Sequence, residues 1–162
     1  MDLYQKVEDK LTELGIEVQI VEHEPALTTE QADSFIEGIE GVRTKTMFLT
    51  TKKKTAFFLV IMDDHKRLDM KRFEELSGVK RIKMASADSL FEKMLLPPGV
   101  VSPFGLLNNE AHDIEVYIDE EIMPEERMSF HPNTNEKTLF IHTEDLMTFL
   151  TSIGYEPKIV RL

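Results

Sequence analysis

The sequence predicts an α/β chain of the α+β kind, one domain built on a mixed β-sheet. Three observations predict it. Helical and strand-like segments alternate without the regular strand–helix–strand rhythm of a doubly wound parallel sheet. Two pairs of β-rich runs are each joined by a polar turn, which reads as two hairpins and requires antiparallel pairing. No repeat, low-complexity tract or Pro/Gly/Ser-rich linker divides the chain, so residues 1–162 form a single domain.

The elements follow in order. Asp2 is placed to cap a first helix that carries Leu3, Val7, Leu11 and Leu14 at helical spacing and stops at Gly15. Residues 16–21 alternate apolar and polar side chains and read as a strand. Thr28 or Thr29 caps a short helix reaching Phe35, and Gly38 and Gly41 break it. Residues 45–51 and 55–62 are strands joined by Lys52-Lys53-Lys54, a hairpin with a basic tip. Asp69 opens a helix through Leu76, ended by Ser77-Gly78, and residues 81–84 make a short strand. Ser86 caps a helix with Leu90, Met94 and Leu95 on one side, stopped by Pro97-Pro98 because proline clashes with a continuing helix. Residues 114–118 alternate as a strand, and 127–131 and 137–141 form the second hairpin. Thr143 caps a last helix with Leu146, Phe149, Leu150 and Ile153 inward; residues 155–160 are a weak strand.

Composition narrows the function classes. The chain is 41% hydrophobic and 30% charged, enough for an ordinary core. It has no cysteine, which excludes disulfides, zinc–thiolate sites and cysteine nucleophiles and fits a reducing compartment. Its apolar run at residues 57–62 is far short of the ~20 residues of a membrane helix. The first residues lack a basic segment followed by an apolar one, so a secretory signal is not read and the cytoplasm is the expected location. The net charge of −11 argues against nonspecific nucleic-acid binding. Residues 43–83 nevertheless hold twelve basic side chains against five acidic ones, leaving −18 for the rest. Such a segment is either a face for a polyanion or a chance cluster on a solvated surface.

Chemistry-bearing motifs are few. There is no G-x-G-x-x-G, Walker sequence or G-x-S-x-G. The five histidines form no metal-binding pair, and Asp63-Asp64 would point to opposite faces of a strand, so no metal is expected. Ser102 and Ser129 lack the setting of a nucleophile near His131. The nine methionines read as core filler. Residues 97–105, with three prolines and two glycines, are either a rigid crossover or a stiff loop presenting backbone groups to a ligand. Lys45, in an apolar strand, either snorkels to the sheet edge or offers a point charge to an anion. His131, ahead of Pro132-Asn133, either serves a site or is satisfied at a rim.

In their order these segments resemble the superfamily of the prolyl-tRNA synthetase insertion (editing) domain, also called the YbaK/aminoacyl-tRNA synthetase-associated domain. His23-Glu24-Pro25 followed by Thr28 resembles its early H-x-P…T segment. Lys45 resembles its strand lysine, and Gly99-Val100-Val101-Ser102-Pro103 its G-x-x-x-P loop. Val101 to Asn108, through Phe104-Gly105-Leu106-Leu107, and Phe130-His131-Pro132 followed by Asn135 and Thr138 are similar to the free-standing branch that deacylates Ala-tRNA(Pro). Two places depart from the pattern: Asn109, where an acidic residue is expected, and Glu136-Lys137, where smaller residues are expected.

The resemblance implies a mixed, partly closed sheet wrapped by helices, and hydrolysis of the ester joining an amino acid to the terminal adenosine of tRNA. A synthetase for proline cannot reject alanine by affinity alone, because a smaller side chain loses only ~1–3 kcal/mol in a larger pocket, and a second site can hydrolyse the error. It implies a substrate-assisted mechanism without cofactor or metal, in which a ribose 2′-hydroxyl organises the attacking water. Lys45 would anchor the terminal nucleotide and His131 would fix the acyl or ribose end. Gly99, Val100, Val101, Ser102 and Pro103, with Gly105, Asn108 and Asn135, would shape the substrate pocket. Lys52, Lys53 and Lys54 would touch the acceptor stem. The implied partners are the acceptor end of tRNA(Pro) and, as a docking partner, prolyl-tRNA synthetase; membrane and DNA are not. The alternatives are a deacylase for Cys-tRNA(Pro) or another small aminoacyl-tRNA, and a non-catalytic module binding tRNA or a synthetase.

Overall fold

The computed structural model describes residues 2–162. Helix α1 (Leu3–Glu13) starts at its expected cap, where the Asp2 carboxylate accepts the Tyr4 N–H at 2.8 Å. It ends in paired reverse bonds, Gly15 N–H to Thr12 and Ile16 N–H to Leu11, which Gly15 permits with φ +70°. Ile16 is thereby spent on the helix end and packs into the core, so β1 (Gln19–Glu22) begins later than the alternation predicts. Thr28, rather than Thr29, caps α2 (Thr29–Phe35).

The basic-tipped hairpin is β2 (Val42–Thr51) and β3 (Phe57–Asp63), paired antiparallel from Thr44–Asp63 to Thr50–Phe57. Asp69 caps α3 (Met70–Ser77), and β4 (Ile82–Met84) follows. Ser86 caps α4 (Ala87–Met94). Leu95 departs from its expected inward place: it turns left-handed at φ 60°, ends the helix half exposed, and Leu96 takes the core position. The second half of the proline loop winds into a 3-10 segment, Pro103–Asn108. Next come β5 (Ile114–Asp119), β6 (Arg127–Phe130), β7 (Lys137–His142), α5 (Thr143–Ser152) and β8 (Lys158–Val160). Thr143 is not the cap of α5: it is the first helical residue, and its hydroxyl donates to the Glu125 carbonyl.

The eight strands form one mixed sheet in the order β1-β7-β6-β2-β3-β5-β8, with β4 added to β2. Strand β2 joins its two arms. One edge is covered by β3. On the other, Val42 and Arg43 pair parallel with β6, and Leu49 to Thr51 pair antiparallel with β4. Between these partners, from Thr44 to Phe48, no strand covers that edge among the described residues.

Both arms curve round one core. Phe48, Leu59, Ile61, Val116 and Ile118 from one arm and Met128, Phe130, Leu139 and Ile141 from the other share a cluster with α1, α4, α5 and the 3-10 segment. The opposite face of the β2–β3–β5 arm packs Leu49, Phe58, Val60, Met62 and Tyr117 under Phe73 of α3. Strand β3 is therefore buried on both faces, which is why residues 57–62 are continuously apolar rather than alternating. No helix among the described residues is long and apolar enough to cross a membrane.

Candidate active site

The uncovered stretch of β2 opens into a cavity of about 470 Å³. Thr44, Lys45, Thr46 and Phe48 form one wall. Ala32 and Asp33 of α2, Pro98, Gly99 and Val101 of the proline loop, and Phe130 and His131 at the end of β6 line the rest of it. Leu27 and Met84, 84% and 54% exposed, are apolar side chains at its rim.

Each wall is tied down locally. The Thr44 hydroxyl donates to the Ser129 carbonyl at 2.5 Å and the Ser129 hydroxyl to the Val42 carbonyl at 3.1 Å, reinforcing the two-residue junction of β2 with β6. The α2 wall hangs from the β6–β7 turn. His23 N–H and Ala26 N–H donate to the carbonyls of Glu136 and Asn135, His23 Nε2 lies 2.9 Å from Thr138 Oγ1, and the His23 ring stacks on Phe35. The Arg43 guanidinium donates to the carbonyls of Ile36, Ile39 and Gly41, closing the far end of α2.

Lys45 enters none of the ion pairs formed among the described residues, so its charge remains available to an anion. Burial lowers the pKa of His131 below its ordinary value, against the opposing effect of the Lys137 carbonyl, 3.3 Å from Nδ1. A neutral ring that donates from Nδ1 to that carbonyl keeps the lone pair of Nε2 as an acceptor. Two polar atoms in the lining have no hydrogen-bond partner, Thr46 Oγ1 and Asp64 Oδ1. Burial first, and then the neighbouring Asp33 carboxyl, raise the Asp64 pKa to about 7.

The sequence-derived residues divide. Lys45, Gly99, Val101 and His131 meet at the cavity. Gly99 takes φ +94° with open space where a side chain would begin, so it is needed for the backbone turn and not for close packing. Val100 turns into the core. Ser102 accepts the Phe104 N–H and donates to Asn133, and Pro103 starts the 3-10 segment. A Cβ on Gly105 would sit 2.6 Å from Leu96 Cδ1. Asn108 donates to the Met94 carbonyl and accepts from the Lys6 ammonium. Asn135 acts through its carbonyl, on Ala26. These six support the walls from behind. Lys52, Lys53 and Lys54 are exposed at the far end of β2, roughly 20 Å along the strand from Lys45.

Sequence reasoning missed Asp33 and Thr46, and set Asp64 aside with Asp63 as an unmatched pair of ligands. Alternation within 63–64 says nothing of α2, which supplies the second carboxylate. Asp33, Asp64 and His65 bring three ligand atoms within 4.8 Å of one another, the one such group among the described residues. The His65 side chain is 80% exposed and outside the cavity lining, which leaves a metal ion few enclosed ligands.

The sequence of residues 23–149 matches the family described as the aminoacyl-tRNA editing domain. The chain belongs to that family. It is 33% identical over 163 residues to the prolyl-tRNA editing protein ProX of Acetoanaerobium sticklandii, spanning 100% of this chain and 99% of that protein. It is 27% identical to the prolyl-tRNA synthetase associated domain-containing protein 1 of Bos taurus, over 98% of this chain and 95% of the relative. A solved structure described as a candidate trans-editing enzyme for prolyl tRNA synthetase superposes with a TM-score of 0.77 at 16% identity, over 100% of this chain and 98% of the other. That likeness establishes the fold of the editing domain, a mixed sheet with the helices described above.

Proposed function

We propose that this editing domain acts in trans on mischarged tRNA(Pro) and hydrolyses its aminoacyl ester, with alanine as the amino acid removed. The observation that carries the reading is the uncommitted Lys45 charge in a cavity of nucleoside size. At about 470 Å³ the cavity falls within the ~300–1,000 Å³ that small-molecule sites occupy. Lys45 holds a phosphate or ribose oxygen of the terminal nucleotide. Leu27 and Met84 offer apolar surface to the terminal base. His131 Nε2 accepts a hydrogen bond from a ribose hydroxyl or from the attacking water.

The ester is already activated, so the site must position and stabilise more than it must react. Water adds to the ester carbonyl, the carbon–oxygen bond to the ribose breaks, and the ribose oxygen takes up a proton. The 2′-hydroxyl orients the water, and backbone N–H groups of the Gly99 loop stabilise the oxyanion. Exposed Lys52–Lys54 and, beside them, Lys80, Arg81 and Lys83 give the acceptor stem a basic approach. Arg43 and Lys66, in the same basic segment, are engaged within the fold and do not add to it.

The test is a deacylation time course on tRNA(Pro) charged separately with alanine, cysteine and proline. Loss of alanine alone, abolished in Lys45→Ala, is expected. Loss of cysteine instead would keep the reaction and overturn the alanine assignment. Binding of tRNA(Pro) without hydrolysis of any of the three would identify a non-catalytic module.

A further inference from the structure

Ester hydrolysis at this cavity employs the lysine, the histidine and the glycine loop, and a carboxyl pair in the same cavity is left without a task. Asp33 arrives on α2 and Asp64 directly after β3, and both line the cavity. The Asp64 side chain is 2% exposed, and its Oδ1 has no hydrogen-bond partner. The nearest cation candidate, His65 Nε2, stands 3.3 Å away without the alignment of a hydrogen bond. Across the cavity wall, Thr46 Oγ1 is a second buried oxygen without a partner. The two carboxyls share a hydrogen bond with each other, and beyond it Asp64 Oδ1 and Thr46 Oγ1 remain buried acceptors in the cavity wall that no protein donor satisfies.

The missing group must donate several hydrogen bonds and carry positive charge. A neutral hydroxyl or amide would leave the pair holding one proton between its two carboxyls, whereas a cation matches both in their ionised form. A guanidinium presents its donors in one plane as a fork. A primary ammonium spreads three donors tetrahedrally and matches acceptors that come from separate elements. An aminoacyl ester carries one such group, on the carbon next to its carbonyl. We propose that Asp33, Asp64 and Thr46 form a subsite for the α-ammonium group of the aminoacyl ester, so that a free primary amine beside the ester is a requirement for tight binding. The proposal rests on the reading of this cavity as an aminoacyl-ester site. It places the ammonium against the carboxyl pair while Lys45 holds the nucleotide, so opposite charges on the substrate meet opposite charges on the wall. Burial and the neighbouring carboxyl raise the Asp64 pKa to about 7, which keeps the empty pair from carrying two full charges; an arriving ammonium favours the doubly ionised form.

The experiment uses a hydrolysis-resistant probe, 3′-(L-alanylamino)-3′-deoxyadenosine, and its lactyl counterpart, in which a hydroxyl replaces the ammonium. Binding of each to the full chain is measured by calorimetry. The alanyl probe should bind at least about tenfold more tightly, as hydrogen bonds to a charged group warrant. In Asp33→Asn and Asp64→Asn that preference should shrink to within about twofold. Equal binding of the two probes by the unaltered protein, or no binding of the alanyl probe, overturns the proposal without any variant having to fold. So does a preference retained in both folded variants. Binding of Mg²⁺, Mn²⁺ or Zn²⁺ that is lost in Asp64→Asn would overturn it in favour of a cation site. Deacylation of Ala-tRNA(Pro) in parallel separates the two readings. Hydrolysis without a preference for the ammonium sinks this proposal alone, and a preference without hydrolysis sinks the catalytic reading alone.

Discussion

Two polar clusters of the protein, one behind α4 and one in the cavity, are finished differently. Behind α4, Asn109 accepts the Tyr155 hydroxyl at 2.9 Å and donates to the Lys93 carbonyl and to Asp113, and Asp113 takes the Lys93 ammonium. Every member has a partner. In the cavity, Thr46 Oγ1 and Asp64 Oδ1 have none. Buried acceptors left unmatched cost about 1–3 kcal/mol each, so the first cluster serves stability and the second forgoes it. The comparison also accounts for Asn109 at a position where the family pattern carries an acidic residue. Asp113 supplies the negative charge four residues later, and an amide between it and Tyr155 both donates and accepts, as a carboxylate cannot.

The largest expected effect belongs to the unfinished cluster. Lys45→Ala should lower kcat/KM for Ala-tRNA(Pro) by about 100-fold or more, since removing one charged group that acts in the transition state costs on that order. Its melting temperature should stay close to that of the unaltered chain, and a large drop would place Lys45 among the structural residues instead. The finished cluster should answer in the opposite way. Asn109→Ala strands the Tyr155 hydroxyl and weakens the hold on Asp113, at a cost of about 2–3 kcal/mol in urea unfolding, while deacylation per folded molecule is unchanged.

Titration sharpens the contrast. Asp64 has a folded pKa of about 7 against an ordinary 3.8, so the folded state holds its proton longer than the unfolded one. This group therefore costs stability progressively as pH rises from about 4 to about 7. The charged groups that act on it are Asp33 on α2 and Asp63 and His65 beside it. Asp113 runs the other way: burial pushes it up, but the hydrogen bonds from Lys93 and Asn109 and the Lys93 charge prevail and hold it below the ordinary range. Its contribution is present above the unfolded pKa and is lost as pH falls through the folded one. Melting temperatures across pH 3–8 should show Asp64→Asn gaining on the unaltered chain as pH rises and Asp113→Asn gaining on it as pH falls. Parallel curves for both variants would erase the distinction between the clusters.

The smallest effect is expected at the far end of β2. Replacing Lys52, Lys53 and Lys54 by alanine should shift stability by no more than about 0.5 kcal/mol. It should make the slope of log binding constant against log salt shallower by about 0.7–0.9 for each tRNA phosphate that a lysine no longer neutralises. An unchanged slope would remove the hairpin tip from the nucleic-acid path.

Local chemistry made much of the fold legible. Asp2, Asp69 and Ser86 announce their helices because capping is decided within three residues, and the β2–β3 hairpin is written in one contiguous stretch. What failed was settled by competition for the same residue. Ile16 has strand periodicity, yet the end of α1 claims it, and Leu95 has helical spacing, yet it makes the left-handed stop. Within the site, Lys45, Gly99 and His131 gained roles only through the family resemblance, because their own patterns admitted two readings each. Asp33 carries no local signal, and Asp64 offers only the adjacent Asp63, which a strand turns to the other face. They meet because α2 hangs over the opening in β2, a consequence of pairings between distant segments.

The divided edge of β2 has a kinetic consequence. The hairpin with β3 closes across residues 52–56, a local event on roughly the microsecond scale. The junction with β6 must bring Met128 to Val42 across about half of the chain, and two residue pairs with two hydroxyl hydrogen bonds hold it. During synthesis the hairpin is complete long before His131 exists, so Lys45 waits in an ordered strand facing no opposite wall. Under mild denaturant the order is expected to reverse: the short parallel junction should open first, amide exchange at Val42 and Arg43 should outrun that along β3, and the proposed deacylation should be lost while most of the protein remains folded.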